Sequence, residues 1–204
     1  MTDHPTARNL LPWLDRLEAQ WVRLNAPIAG LLNPGLDEDA INDLTEPYGL
    51  TLPPEWTAWW QWHDGAGLWP SSANDNSVTI GPGTYEFLPL SGALAKYEFS
   101  RGAHPESEPE GHVWRANWLP FMTQGAERLY VDCADVMLHG HSPVKLVSWE
   151  WEMPTVARAW SLTHAVTLWV WLLESDYYWW EADAPIPHWA RRDLPEFADW
   201  TGLA

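Results

Sequence analysis

Leu52-Pro53-Pro54-Glu55-Trp56-Thr57-Ala58-Trp59-Trp60-Gln61-Trp62-His63-Asp64-Gly65 is the most sharply punctuated stretch of the chain. Proline at its start presets φ where a helix has N–H groups without partners. Glu55 puts an acid in the first turn, Trp56, Trp59 and Trp60 share one face, and Asp64-Gly65 is a stop signal. The stretch predicts a helix that buries its tryptophan face, and the rest of the fold is read outward from it.

Upstream, Leu10, Leu14, Leu17, Trp21 and Leu24 recur at three- and four-residue steps. They predict an amphipathic helix over 6–24, ended by Pro27 and Gly30. Pro34-Gly35-Leu36-Asp37 opens a second helix in which Asp37 is the cap, Ala40, Ile41 and Leu44 face inward, the other side is acidic, and Pro47 is the breaker after Glu46. Downstream, short strands over 77–80 and 85–88 flank the turn Gly81-Pro82-Gly83. Ser91 is positioned to cap a helix running to about Ser100, and 102–111, rich in Pro and Glu, reads as an exposed loop. Strands over 117–122, 128–133 and 144–149, the first two joined at Gln124-Gly125, predict an antiparallel meander. From 155 to about 180 the pattern turns helical, with Val156, Trp160, Ala165, Leu168, Leu172 and Leu173 available for burial. Pro185, Pro187 and Pro195 mark an irregular tail, pinned by Trp189, Phe197 and Trp200.

The 204 residues carry 11 Lys plus Arg against 28 Asp plus Glu, a net charge of −17 with His neutral. A chain this long buries about 70% of the surface its unfolded form exposes, so one well-packed domain is expected. A hydrophobic fraction of 46% with 18 Trp excludes general disorder. The charge argues against direct nucleic-acid binding, which draws its affinity from phosphate neutralisation, and favours a basic partner. Cys133 is the single cysteine, so no intramolecular disulfide framework exists, in keeping with a reducing cytoplasm. The first residues lack the unbroken apolar run of a signal peptide. The uncharged run 159–173 is shorter than the roughly 20 residues a bilayer requires, so it reads as a buried helix and no membrane partner is expected. Nine Arg against two Lys is the usage of a GC-rich bacterial genome.

In order, the tryptophan helix, Trp118-Leu119-Pro120-Phe121, Leu129-Tyr130-Val131-Asp132, the valine strand from Val144 and a closing helix resemble the SUKH superfamily. That superfamily includes the yeast cell-wall assembly regulator and bacterial toxin-immunity proteins. Asp64-Gly65 stands where the family pattern has Asn-Gly, and Gln124-Gly125-Ala126-Glu127 replaces a turn richer in Gly and Asp. The resemblance covers 36–174. It implies an α+β fold, a mainly antiparallel twisted sheet packed against helices, and a protein that works by binding another protein. With it goes a division into an N-terminal helical extension (1–35), a SUKH-like domain (36–175) and a C-terminal tail packed on the domain (176–204). Bacterial members are expected to neutralise a cognate toxin, often a nuclease or deaminase, in the producing cell's cytoplasm. No catalytic residue is carried over by the resemblance.

Other chemistry is thinly signposted. His139-Gly140-His141, with Asp132, Cys133, Asp135 and His112 nearby in sequence, is the closest approach to a metal set, but Gly140 and Pro143 argue for a turn rather than a ligand pair. Cys133 ends an apolar run with no cation beside it in sequence and reads as a small hydrophobe. His63 and His164 read as helix residues. No nucleophile elbow, phosphate loop or zinc-protease helix is present, and no cofactor is expected. Carboxylate pairs such as Asp37 with Asp39, or Glu150 with Glu152, read as a solvated face.

Two sets remain as candidate partner-binding residues. Asp37, Glu38, Asp39, Asp43, Glu46 and Asp64 supply the acidic set, with Glu106, Glu108 and Glu110 a second acidic run; such carboxylates can stand where phosphates lie in a basic cleft. Trp62 and Trp69, flanking the Asp-Gly stop, and Trp118 are the aromatic anchors, since Trp combines large contact area with a polar N–H. Taken with the resemblance, these sets lead to the expectation of a non-enzymatic immunity protein that neutralises a cognate toxin, a nuclease among the candidates, through an acidic surface. An adaptor in cell-wall or stress regulation, and a Trp-rich carbohydrate-binding module or enzyme, are the alternatives.

Overall fold

The computed structural model describes residues 5–67, 79–103, 114–136, 141–148, 156–185 and 187–194. Helix α1 (Pro5–Arg23) buries Leu10, Leu14, Leu17 and Trp21 of the predicted stripe, all at 0% exposure, while Leu24 lies just past its end and is partly buried. A 3-10 turn (Pro27–Gly30) and strand β1 (Leu32–Pro34) lead to α2 (Glu38–Thr45), whose N-cap is Asp37 as expected. A second 3-10 turn (Glu46–Tyr48) begins at the residue before Pro47.

The tryptophan helix is α3 (Pro54–Trp62), and 55–60 are buried without interruption. A helix apolar on every side must be surrounded. Trp56 meets Phe121 of the sheet at 4.4 Å, Trp59 meets Phe87 at 4.5 Å and Trp169 of the C-terminal helix at 6.4 Å, and α1 packs along it. Asp64-Gly65 does not close this helix: Trp62 is its last residue, and His63, expected to be helical, starts strand β2 (His63–Ala66), which pairs with β1.

Strand β3 (Glu86–Phe87), β4 (Trp118–Gln124), β5 (Glu127–Asp132), β6 (Val144–Ser148) and β7 (Val156–Ala159) form an antiparallel sheet in that order. The predicted meander is its centre, with Gln124 opposite Glu127 and Val131 opposite Val144. Before β3, Thr79 forms an antiparallel bridge to Glu86, and 77–78 of the first expected strand lie outside the described residues. Helix α4 (Leu90–Ala103) packs on β4. Ser91 lies inside its first turn; the cap comes from Asp64, whose Oδ1 accepts the Leu90 N–H at 2.7 Å.

The helix expected over 155–180 is three elements. β7 extends the sheet, Ser161 then caps α5 (Leu162–Glu174) by accepting the His164 N–H at 3.0 Å, and Asp176, at φ +54°, ends the helical run. The aromatic run that follows is strand β8 (Tyr178–Glu181), paired with β9 (His188–Arg191), so the described part of the tail carries a hairpin where irregular chain was expected. β-propensity of Tyr and Trp outweighs the helical spacing there. Trp189 pins the hairpin, donating its indole N–H to Thr79 O at 3.1 Å. Trp160, expected to be buried, is 72% exposed, because it falls between β7 and the α5 cap. The N-terminal helix is clasped to α5 where the Arg16 guanidinium meets the Glu174 carboxylate at 2.5 and 2.7 Å. No helix among the described residues is long and apolar enough to cross a membrane. Trp69, most of the 102–111 loop with Glu106, Glu108 and Glu110, and His112, His139, Glu150, Glu152, Phe197 and Trp200 lie outside the described residues.

Candidate partner-binding site

A close approach of backbone to backbone builds the site. Gly35 lies against the last carbonyls of α3, where an added Cβ would sit 1.9 Å from Gln61 O. Only glycine fits there. The next residue, Leu36, donates its N–H to Trp60 O at 2.9 Å and so satisfies a helix-terminal carbonyl. The chain thus crosses the end of α3 and delivers Asp37 beside Trp62. Asp37 Oδ1 then accepts the Ala40 N–H at 2.8 Å and starts α2.

Helix α1 supplies the opposing residues, Leu11 and Asp15, one turn apart. Leu11, Asp15, Leu36, Asp37, Gln61 and Trp62 together line an open cleft of about 390 Å³. Trp62 is half-buried and its ring is held by neighbours: Trp59 at 5.7 Å, Trp21 at 6.0 Å, Phe87 stacked at 6.1 Å and the edge of His63 at 4.6 Å. His63 is fixed in turn, with Nδ1 2.9 Å from Asn33 O and Nε2 3.3 Å from Glu18 Oε2.

The acidic face of α2 runs away from this cleft. Asp37, Glu38, Asp39, Asp43 and Glu46 are all exposed, and among the described residues none of them pairs with a cation. Glu38 and Asp39 favour the positive end of the helix dipole. Asp43 and Glu46 lie toward the negative end, and Asp39, Asp43 and Glu46 fall on one stripe where like charges repel. Local helix stability therefore does not account for Asp43 and Glu46.

The other candidates are placed elsewhere. Asp64 is half-buried beneath the start of α4, and burial raises its pKa while the hydrogen bond from Leu90 pulls the other way. Gly65, at φ +72°, lies so close to the 88–89 backbone that a Cβ would sit 2.2 Å from Pro89 N. The Asp-Gly pair is thus a clamp on the turn into α4. Trp118 is only 7% exposed; its indole N–H donates to Asp132 Oδ2 at 3.1 Å and its ring packs on Tyr130 at 4.6 Å, so this expected surface anchor is a core residue. Asp132 also takes the Asn117 amide and the Ala134 N–H, which gives the Asp of the strand signature a structural task.

Among the described residues no group of three or more His, Cys, Asp or Glu is placed to hold a metal ion. His141 instead lies 3.3 Å from the buried Glu55 carboxylate. Burial and the neighbouring Asp132 push the Cys133 thiol up to about 12, the opposite of a poised nucleophile.

Of the residues that line the cleft, Asp37 and Trp62 were singled out by the sequence, and Leu11, Asp15, Leu36 and Gln61 were not. Their only local signal was the one-turn spacing of Leu11 and Asp15 beside the buried stripe. The exposed aromatics were missed as well: Trp160, and Phe99 at 67% exposure.

This helix, clamp and meander make an α+β fold with a cleft at the end of α3. Residues 35–161, well over half of the chain, match the SMI1 / KNR4 family (SUKH-1), and the chain belongs to that family. The family comprises toxin-immunity proteins and cell-wall regulators, which act through protein–protein interaction. No curated protein matches the sequence. The match begins at Gly35 and ends at the α5 cap, so one side of the cleft, Leu36, Asp37, Gln61 and Trp62, comes from the matched region, and Leu11 and Asp15 come from outside it.

Proposed function

We propose that this chain is a non-enzymatic, cytoplasmic immunity protein of bacterial origin that neutralises a basic toxin domain, with the α2 face and the adjoining cleft as its contact surface. The observation that carries this reading is the set of exposed carboxylates at Asp37, Glu38, Asp39, Asp43 and Glu46, unpaired among the described residues. The net charge of −17 extends the same field over the molecule. Exposed carboxylates of one sign speed encounter with a cationic surface and occupy a cleft built for phosphates, at an energy that falls as salt rises.

The test is affinity capture from lysate of the source organism at low and high salt. The wild-type chain is compared with a variant carrying D37N, E38Q, D39N, D43N and E46Q. A basic protein retained by the wild type, lost at high salt and by the variant, toxic when expressed alone and harmless when co-expressed with this chain, is the expected result. Capture unaffected by the substitutions removes the acidic face from the mechanism; a captured wall-synthesis or signalling protein that is not toxic replaces immunity with the adaptor role.

A further inference from the structure

We infer that the cleft between α1 and the end of α3 is a socket for one arginine side chain of the partner polypeptide. The inference rests on the proposed protein-binding function and names what its cleft accepts.

Each wall fits a different part of that side chain. Leu11 and Leu36 offer apolar surface to a methylene stem, as long cationic side chains bury their stems and keep their heads polar. Trp62 offers an indole whose ring is already held by Trp21, Trp59 and Phe87, so little ordering is left to occur on binding. Asp15 and Asp37 reach the cleft from different elements. Asp15 has no hydrogen bond or ion pair among the described residues, and the Asp37 hydrogen bond to Ala40 occupies only Oδ1.

A guanidinium satisfies all of these features together. It is planar, stacks on an indole, is weakly hydrated and presents five donors in a fork that matches carboxylates; an ammonium is a compact, strongly hydrated point charge that does not stack. A neutral sugar or an apolar side chain would leave two carboxylates facing it without a counter-charge. At about 390 Å³ the cleft is at the small end of ligand pockets, which run from about 300 to 1,000 Å³. That size holds an arginine side chain with room to spare and excludes a folded segment.

The test uses the full chain, uniformly 15N-labelled, and a blocked tripeptide, acetyl-Gly-Arg-Gly-amide, against its lysine and citrulline counterparts. Citrulline keeps the shape and removes the charge. The Trp62 indole N–H signal, assigned by its absence from W62F, is followed on titration. The arginine peptide is expected to shift it saturably, the lysine peptide more weakly and the citrulline peptide not at all. D15N and D37N should each weaken the arginine peptide roughly three- to tenfold. Asn at position 37 keeps the helix cap, so the folded state is preserved. No shift with the arginine peptide, an equal shift with citrulline, or unchanged affinity in the D15N/D37N double variant overturns the socket. That failure is separate from failure of the acidic α2 face, which the capture experiment reads without the peptide.

Discussion

The Glu55 carboxylate, at 0% exposure in the first turn of α3, accepts the backbone N–H of Leu162, 107 positions further along the chain, at 3.3 Å. It also accepts the Thr163 N–H at 3.3 Å and the Thr163 hydroxyl, and it lies 3.3 Å from His141 Nδ1. One acid therefore sits at the positive ends of two helices and ties the start of α5 to the start of α3.

Removing that acid strands buried donors. Glu55→Ala is expected to cost about 3–5 kcal/mol, because the Leu162 and Thr163 N–H groups and the Thr163 hydroxyl lose their acceptor where little water can replace it. In a chain of this size that is a fall of roughly 6–20 °C in Tm. Glu55→Gln keeps one acceptor oxygen and should fall between. Thermal and urea unfolding check both, and an Ala variant as stable as the wild type would remove the joint from the account.

Asp64 carries a pH signature. Its pKa in the folded protein is raised by burial, so the protonated form is favoured by folding. Stability contributed at this site is higher when Asp64 is protonated and declines as pH rises from the ordinary carboxylate value through the raised one. Asp64→Asn keeps an oxygen for the Leu90 N–H and cannot ionise, so its stability should match or exceed the wild type above that window. Asp64→Ala loses the acceptor and should cost about 1–2 kcal/mol at every pH. The difference between the wild-type and Asn curves of unfolding free energy against pH isolates this group from the other acids.

Gly35→Ala tests the crossing that builds the cleft. With a Cβ 1.9 Å from a backbone oxygen, the 34–36 segment must shift away from α3. We expect a loss of about 1–3 kcal/mol. The Trp62 indole signal should move while the Trp118 signal, across the molecule's core beside Asp132, stays in place. A variant with both signals unmoved would contradict the geometry.

Cys133 should be inert in the folded protein. With its thiol pushed up to about 12, almost no thiolate exists near neutral pH. A disulfide-exchange reagent should label it slowly under native conditions and promptly in denaturant, and rapid native labelling would count against the burial described.

Much of the fold was legible in local spacing. The α1 stripe, the Asp37 cap, the α3 start and the three central strands are set by side-chain period and by residues with a fixed backbone role, and these act over a few positions. Several of the failures share a cause: a residue whose partner lies far away in sequence. Asp64-Gly65 resembles a helix stop, yet its partners are the 88–90 backbone, and Val156 fits a helical spacing, yet Val156–Ala159 is held by hydrogen bonds to β6.

The candidate site divides the same way. Sequence by itself determined the family signature, the acidic side of α2 and the burial of Leu10, Leu14, Leu17 and Trp21, since periodicity states which residues share a face. Which tryptophan meets solvent was decided only by tertiary packing: Trp118 closed over by Tyr130 and Asp132, Trp62 left half-open beside Asp15 and Asp37, Trp160 exposed at a junction. A face is a property of one segment, whereas exposure depends on what the remaining segments lay against it, and a cleft exists only where two of them stop short of contact.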